Sequence, residues 1–409
     1  MLLLNKKVLL FFFLLFSLIV SLLLGENSSG GSKHDFLATK IYIDTFKLNF
    51  ISGLQLFKET GEFHSPVFYI IIANLSKIFG HSFVSYFYII VSSLIPIICF
   101  EILKKKFPRA NIDYLYFLSL LIFLSPYFRS SAVWLTTDNL ALLFFLLSIN
   151  SFIKLENLKN GLFKDSLFCI FFLILASYIR PYYALFFIFY FFMLEQKLNL
   201  LEKLYIIIFS IICSVPMIAY FFFVFDSNNS SRHSYFFEID IIFNILTFTS
   251  LFFFYFLPFI LNLYGLSKFK EVFILKKKYI AIIILVSLLI FFLYDIPEVL
   301  FGGGIFYKIS TLSNLNFFFI FSCLGTLFLY IFNNNNKRNI LIYLTLIFAF
   351  PFTTLFQKYY DPLVYILLLT LINSNFMNYL IDNYKIKLSF VFCYYLFFLI
   401  SCNYYYSYL

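Results

Sequence analysis

The chain has 409 residues, a formal net charge of +10, 62% hydrophobic and 12% charged residues, and a mean hydropathy of +0.93. Soluble domains contain about a quarter charged residues, so this composition excludes a soluble globular protein. Apolar runs of about 18 residues or more recur along the whole length, which indicates transmembrane helices and excludes an outer-membrane barrel. The sequence therefore predicts an all-α, polytopic transmembrane helical bundle.

The first apolar run, at residues 8–24, follows Lys6 and Lys7. No small-residue cleavage site follows it, so it predicts an uncleaved first span with a cytoplasmic N-terminus. Residues 25–66 are polar and predict a long first extracytoplasmic loop with a juxtamembrane helix. The chain is predicted to be one integral membrane domain over 1–409, without a separate soluble domain. A total of 11 to 13 spans is predicted, the later ones at about 82–103, 112–128, 133–153, 162–179, 182–194, 204–225, 241–266, 279–294, 312–332, 340–356, 363–380 and 388–405, with a short apolar run at 68–79.

The distribution of basic residues predicts the orientation of these spans. With the N-terminus inside, 20 of the 30 Lys and Arg residues fall in alternating cytoplasmic segments. This excess agrees with the positive-inside rule and places the segment 25–66 on the periplasmic or luminal side. Because the basic residues lie in short loops between spans, the net charge indicates orientation and predicts no nucleic acid partner. The outside loops carry acids and bases together, which predicts a functional site on that face.

The first outside loop contains two candidate general bases, Asp35 and Asp44. A carboxylate near the membrane surface can accept the proton of a sugar hydroxyl, which makes that hydroxyl a nucleophile. Each Asp also fits a solvated loop residue without such a role. Later in the loop, His64 fits either a substrate contact or a structural hydrogen bond. Ser65 suits the cap of the next helix, and Pro66 suits its first turn.

Further along the chain, one acid and several cations face the same side. Asp138 lies where a span re-enters the membrane, and it fits either an N-cap or a site residue. Arg180 lies between two apolar segments, where its guanidinium either snorkels to the interface or binds a phosphate. The sequence contains no nucleotide-binding glycine loop and no zinc-protease motif. Further cations on the same side are Arg232, Lys308 and Lys358.

Several short motifs, taken in their order, resemble those of the GT-C superfamily of polytopic glycosyltransferases. The resemblance covers about residues 1–380, and its Thr-Asp motif is similar to that of the glucosyltransferases that complete lipid-linked oligosaccharides. One departure concerns Asp35, which stands alone where many members have Asp-Glu or Asp-Asp. The motifs are His34-Asp35-Phe36, the H-x-P-x-x-Y-like segment 64–69, the Thr-Asp pair 137–138, Arg180-Pro181, and Gln357-Lys358-Tyr359-Tyr360-Asp361-Pro362.

The resemblance implies inverting transfer of a sugar from a polyprenyl-phosphate donor to a glycan, lipid or protein acceptor on the extracytoplasmic face. It implies Asp35, or alternatively Asp44, as the catalytic base, and Asp138 as a catalytic residue that orients a cation or a sugar hydroxyl. It implies no metal ligands and no certain cofactor, and it leaves a divalent metal ion open. The residues that it implies for substrate binding are His64, Arg180, Arg232, Lys308, Lys358 and Tyr359.

Two other functions fit a polytopic chain. A transporter or flippase for lipid-linked glycans predicts charges in mid-span or broken helices in paired halves, and these spans are almost free of such charges. An O-antigen polymerase or ligase-like protein predicts a large late outside loop, whereas the largest loop here comes first. In each case the predicted location is the bacterial inner membrane or, in a eukaryote, the endoplasmic reticulum membrane, and the lipid bilayer is a partner.

Overall fold

A computed structural model of the chain describes residues 2–62, 64–157, 162–225, 240–261, 277–297, 302–332, 336–350, 355–384 and 386–407. All regular structure within these residues is helical, which confirms the all-α prediction for them. The short 3₁₀ helices lie at Leu121–Leu124, Pro181–Leu185 and Gln357–Tyr359. The α-helices are α1 Leu2–Leu24, α2 Ser32–Leu48, α3 Phe50–Thr60, α4 Val67–Phe79, α5 His81–Lys106, α6 Ile112–Leu120, α7 Pro126–Val133, α8 Thr137–Asn157, α9 Leu162–Ile179, α10 Phe186–Glu195, α11 Leu200–Phe223, α12 Ile241–Ile260, α13 Lys277–Leu293, α14 Gly304–Ser313, α15 Phe317–Phe332, α16 Lys337–Phe348, α17 Leu363–Leu369, α18 Asn375–Asp382 and α19 Leu388–Ser407.

Seven of the described helices are long and apolar enough to cross a membrane, namely α1, α5, α8, α9, α11, α12 and α19. An eighth span results if the bent pair Ile112–Leu124 and Pro126–Val133, with 66° between its halves, counts as one. Helices α1 and α11 bury little of their apolar surface inside the protein, so lipid has to cover the remainder. The chain is therefore a multi-pass helical protein, while the total of 11 to 13 spans and the sidedness stay predictions.

The chain divides into two compact units within the single membrane domain that the sequence predicts. The first unit comprises Met1–Lys105, Tyr116–His233 and Tyr395–Leu409. The second comprises Lys106–Leu115 and Ser234–Tyr394. The helix pair α8 and α9 is the most extensive contact in the first unit, and α12 with α15 is the most extensive in the second.

The segment 25–66, predicted as a long loop with one juxtamembrane helix, contains two helices, α2 and α3. Asn49 separates them, and its side chain accepts a hydrogen bond from the backbone N–H of Ile51 at 2.8 Å, which caps α3. Gly61 ends α3 in the left-handed conformation, at a φ of 56°. The segment is too polar to be recognised as a span, and an amphipathic period of about 3.6 residues is the only local signal that helices of this kind give.

A buried ion pair joins the segment after α1 to α7 in the first unit. Nε and Nη2 of Arg129 donate to the Glu26 carboxylate at 3.0 and 2.8 Å, and Nη1 donates to Oγ of Ser17 at 3.0 Å. The indole N–H of Trp134 donates to the backbone carbonyl of Glu26 at 2.7 Å. Burial by itself raises the pKa of Glu26, but the hydrogen bond and charge of Arg129 and the Ser21 hydroxyl together bring it below its usual value.

In the second unit, small residues let α12 and α15 meet closely. A Cβ atom added at Gly325 of α15 would lie 1.9 Å from the backbone oxygen of Thr249 in α12. One turn away, the hydroxyl oxygens of Thr249 and Ser322 lie 2.6 Å apart and share a hydrogen bond. Close backbone approach through small residues is a common way for helices to associate in membranes.

Gly325→Ala is therefore expected to destabilise the protein. The methyl group has no space unless α12 and α15 move apart, and overpacking of this kind costs about 1–3 kcal/mol. The measurement is the thermal unfolding midpoint of the purified protein in detergent. Gly31→Ala is the matched control, because a Cβ atom there meets nothing within 4 Å. Equal midpoints for the two variants would contradict the close approach of the helices.

Candidate active site

Four ionisable side chains form a continuous series of contacts in the first unit. Nη2 of Arg180 lies 2.8 Å from Oδ1 of Asp138, and its Nη1 lies 2.6 Å from Nε2 of His64. Nδ1 of His64 in turn lies 2.5 Å from Oε1 of Glu62. The four side chains are between 7% and 19% exposed. The structure thus brings together three candidates from the sequence, and it adds Glu62 to complete a charged cluster of Glu62, His64, Arg180 and Asp138.

Helix ends position every member of the charged cluster. Asp138 lies in the first turn of α8, and so it does not occupy the N-cap position that was one prediction for it. Arg180 directly follows α9, where Pro181 lacks the N–H that would continue the α-helical bonding. Glu62 and His64 lie in the turn between α3 and α4. Because helix ends leave backbone groups unpaired, they are polar points in an apolar bundle, and charged side chains are best accommodated there.

Ser65 does not cap α4, which corrects the prediction from the sequence. The N-cap position belongs to Pro66, which makes no side-chain capping bond. The Ser65 hydroxyl donates instead to the backbone carbonyl of Tyr178, in the last turn of α9. This bond ties the turn that carries His64 to the helix that precedes Arg180, and so it helps to fix the distance between those two side chains.

Hydroxyl groups contact both carboxylates of the charged cluster. The Tyr42 hydroxyl lies 3.5 Å from Oε2 of Glu62, and the Tyr220 hydroxyl donates to the Glu62 backbone carbonyl. At the other end, Oγ1 of Thr136 donates to Oδ2 of Asp138 at 3.1 Å. Buried polar atoms need such partners, because the protein has removed them from water. The cluster is therefore held by residues of α2, α11 and the turn before α8.

The contacts determine which nitrogen of His64 carries the proton. A guanidinium can only donate, so Nε2 of His64 accepts from Arg180. The proton then lies on Nδ1, where it is donated to Glu62. His64 is neutral in this arrangement, and the cluster holds one guanidinium and two carboxylates. Asp138 forms an ion pair with one amino group of Arg180, and His64 accepts a hydrogen bond from the other, so both partners contact a side chain well suited to bind phosphate.

The two candidate bases lie on opposite faces of α2. At about 100° per residue, Asp35 and Tyr42 share one face of the helix, and Asp44 points to the other side. Tyr42 is the α2 residue that contacts the Glu62 carboxylate. Asp44 is exposed, whereas Asp35 is half-buried. Asp35 therefore lies on the face of α2 that is turned to the charged cluster, about 10 Å along the helix from Tyr42.

The other predicted binding residues come later in the chain. Lys308 lies in α14, and Lys358 and Tyr359 lie in the 3₁₀ helix Gln357–Tyr359, all within the second unit. Nζ of Lys358 lies 5.2 Å from the centre of the Phe356 ring and 5.9 Å from that of Tyr359, within the range of cation–π attraction. Arg232 lies outside the described residues. Substrate contacts of these four residues stay predictions.

An apolar cavity of about 320 Å³ lies in the first unit, and its wall includes Ser65, the neighbour of His64 in the chain. Tyr178 and Tyr220 form part of its wall, and Met217 and Phe223 are among the apolar side chains that complete it. Tyr178 is two residues before Arg180 in the chain, and Tyr220 bonds the backbone of Glu62. An apolar cavity of this size suits the apolar part of a ligand.

The charged cluster does not have the composition of a metal site, since a guanidinium stands between its carboxylates. Among the residues that the structure describes, no group of three or more His, Cys, Asp and Glu side chains is arranged to hold a metal ion. The divalent metal that the sequence left open is therefore without ligands identified in these parts of the chain.

Sequence reasoning missed the partnership of Glu62 and His64 and the ion pair of Glu26 and Arg129. The one local signal for the first pair was its spacing, two ionisable residues separated by a single residue shortly before Pro66. The second pair is separated by 103 positions, so no local pattern indicates it.

A function for this chain has to be argued from the geometry of its own residues. Its motifs resemble those of GT-C glycosyltransferases, and membership of that superfamily stays an expectation. Compared with protein-family models, with curated proteins and with solved structures, the chain matched nothing.

Proposed function

We propose that the chain is a GT-C type glycosyltransferase, which moves a sugar from a polyprenyl-phosphate-linked donor to an acceptor on the extracytoplasmic face, with inversion. The observation that carries the proposal is the charged cluster, in which Asp138 and His64 contact the guanidinium of Arg180. Ser65 and Tyr178, which are close to His64 and Arg180 in the chain, line an apolar cavity. A polyprenyl-phosphate sugar has the complementary parts, an anionic phosphate and an apolar chain. The bilayer that surrounds a multi-pass protein supplies such a donor directly.

In the proposed reaction, Asp35 accepts the proton of the acceptor hydroxyl while the hydroxyl oxygen attacks the anomeric carbon of the donor sugar. The bond between that carbon and the phosphate oxygen breaks, and its electron pair leaves with the polyprenyl phosphate. Arg180 stabilises the negative charge that develops on the leaving phosphate, and in a partly dry site this attraction is stronger than in water. Attack from the face opposite the leaving group inverts the anomeric centre.

Purified protein in lipid nanodiscs, supplied with a panel of polyprenyl-phosphate hexoses and with glycan, lipid and protein acceptors, tests this function. The expected result is release of polyprenyl phosphate together with a glycosylated acceptor, and loss of both in Arg180→Gln. If no donor in the panel releases polyprenyl phosphate, the proposal is wrong. Movement of intact lipid-linked sugar across vesicle membranes, without release, would favour the flippase instead.

The proposed site also requires α2 to face the extracytoplasmic side. Lys33 is exposed at the start of α2, and Lys104 is exposed at the end of α5, on the predicted cytoplasmic side. With the native cysteines replaced by alanine, Lys33→Cys is expected to react with a membrane-impermeant maleimide in intact cells or spheroplasts. Lys104→Cys is the control and should react only after the membrane is permeabilised. The reverse pattern would place the charged cluster on the wrong side for the proposed donor.

A further inference from the structure

We infer that Glu62 and His64 form a positioning pair for Arg180, in which Glu62 fixes the tautomer of His64 and His64 fixes one amino group of Arg180. This gives His64 a role through another residue, whereas the sequence predicted a direct contact with substrate. The positioning of Arg180 is inferred from the contacts among these side chains alone. The consequence for binding of a donor phosphate rests on the proposed function.

The geometry of the pair leaves His64 little freedom. Its Nδ1 lies 2.5 Å from Oε1 of Glu62, and the same carboxylate oxygen lies 3.3 Å from the backbone N–H of His64. The Glu62 backbone is bonded in turn by the Tyr220 hydroxyl of α11, and the Tyr42 hydroxyl of α2 lies 3.5 Å from its carboxylate. The Glu62 backbone is thus held by Tyr220, and the Glu62 carboxylate contacts both Nδ1 and the backbone N–H of His64 and so orients the imidazole ring.

The chemistry of the three side chains explains why the carboxylate matters for Arg180. Without Glu62, nothing in the pair keeps the His64 proton on Nδ1. An Nε2–H tautomer would direct a donor at Arg180, which has no acceptor to offer. The contact of 2.6 Å between Nε2 and Nη1 would then be lost, while the ion pair of Nη2 with Asp138 would remain. We expect such a guanidinium to become more accessible and less well oriented.

Reactivity of Arg180 toward phenylglyoxal, followed by peptide mass spectrometry, measures this positioning without any enzymatic assay. Arg129 is an internal reference, because it is buried as deeply as Arg180 and bonds Glu26 instead. Modification of Arg180 is expected to be several-fold faster in Glu62→Ala and in His64→Ala, with Arg129 unchanged. Exposed Glu59, which bonds Gln55 at 2.9 Å, supplies the matched control, Glu59→Ala.

His64→Gln separates a hydrogen-bonding role from mere filling of space. Its amide oxygen can accept from Arg180 and its amide N–H can donate to Glu62, so modification of Arg180 should return close to the wild-type rate. If His64→Gln reacts as fast as His64→Ala, or if Glu62→Ala leaves Arg180 unchanged, the inference is wrong. If His64→Ala unfolds, both arginines will be modified faster. Glu62→Ala then tests the inference by itself, because Glu62 lies in a turn outside any helix and its replacement interrupts no helix.

A second measurement connects the positioning pair to the proposed function. In the transfer assay, Glu62→Ala is expected to raise the KM for the polyprenyl-phosphate donor and to lower kcat as well, because Arg180 contacts the phosphate in the ground state and stabilises it further as negative charge develops. An unchanged KM alongside faster Arg180 modification would overturn the link to the donor phosphate. A wild-type protein without transfer activity, in which Arg180 modification still responds as expected, would refute the proposed function and leave the positioning pair standing.

Discussion

Asp35→Asn is expected to reduce sugar transfer by about 10²- to 10⁴-fold, which is the usual contribution of a general base. Asparagine keeps the size of the side chain and its capacity for hydrogen bonds, but it cannot take a proton from the acceptor. Asp35 is half-buried on the α2 face that it shares with Tyr42, so an acceptor hydroxyl there would lie on the same side as the charged cluster. The measurement is the initial rate at saturating donor, in nanodiscs.

Asp44→Asn is the matched control for that experiment. It makes the same change on the same helix, but at an exposed position on the opposite face, and it should leave the rate nearly unchanged. Unfolding midpoints equal to that of the wild type would show that both variants are folded. If both variants transfer at the full rate, neither carboxylate of α2 is the base. If only Asp44→Asn loses sugar transfer, Asp44 is the base and Asp35 is not.

The second large effect concerns stability. Glu26→Gln or Arg129→Gln is expected to cost about 3–5 kcal/mol, because removal of one partner leaves the other charge buried and uncompensated. The side chains are 14% and 8% exposed, and the guanidinium is further bonded to Ser17. The measurement is the free energy of unfolding of the purified protein in mixed detergent micelles.

An exposed ion pair in the same unit provides the control for this experiment. Glu101 and Lys104 lie 3.1 Å apart with side chains 46% and 40% exposed, and Glu101→Gln should cost about 0–1 kcal/mol. A similar loss for Glu26→Gln and Glu101→Gln would mean that the Glu26 pair is not buried in the folded protein.

The pH dependence of stability gives the same pair a second signature. The pKa of Glu26 is lowered in the folded protein, so its contribution is fully present above the usual value of 4.5 and is lost as the pH falls through the lowered pKa. The wild type should therefore lose more stability than Glu26→Gln when the pH is reduced below about 4.5. Equal losses of stability in the wild type and in Glu26→Gln would contradict a lowered pKa of Glu26.

The all-α class and the long spans followed from the sequence, because hydropathy over about 18 residues is a local property of the chain. The helices α2 and α3 did not, because a short amphipathic helix has no long apolar run. Asp138, Arg180 and His64 could be selected by residue type, since a charge beside an apolar run is costly without a partner. Their pairing could not, because His64 and Arg180 are 116 positions apart.

Trp134 is the sole tryptophan of the chain, and it lies four residues before Asp138, in the break between α7 and α8. Its indole N–H bonds the Glu26 carbonyl at 2.7 Å, and its ring centre lies 5.7 Å from that of Phe36 in α2. The protein therefore contains an intrinsic fluorophore at the junction of α2, α7 and α8. Its emission maximum and lifetime report on the environment of that junction in the unlabelled wild type. Donor or acceptor binding that shifts α2 against α8 would be seen as a spectral change, in real time and without an engineered probe.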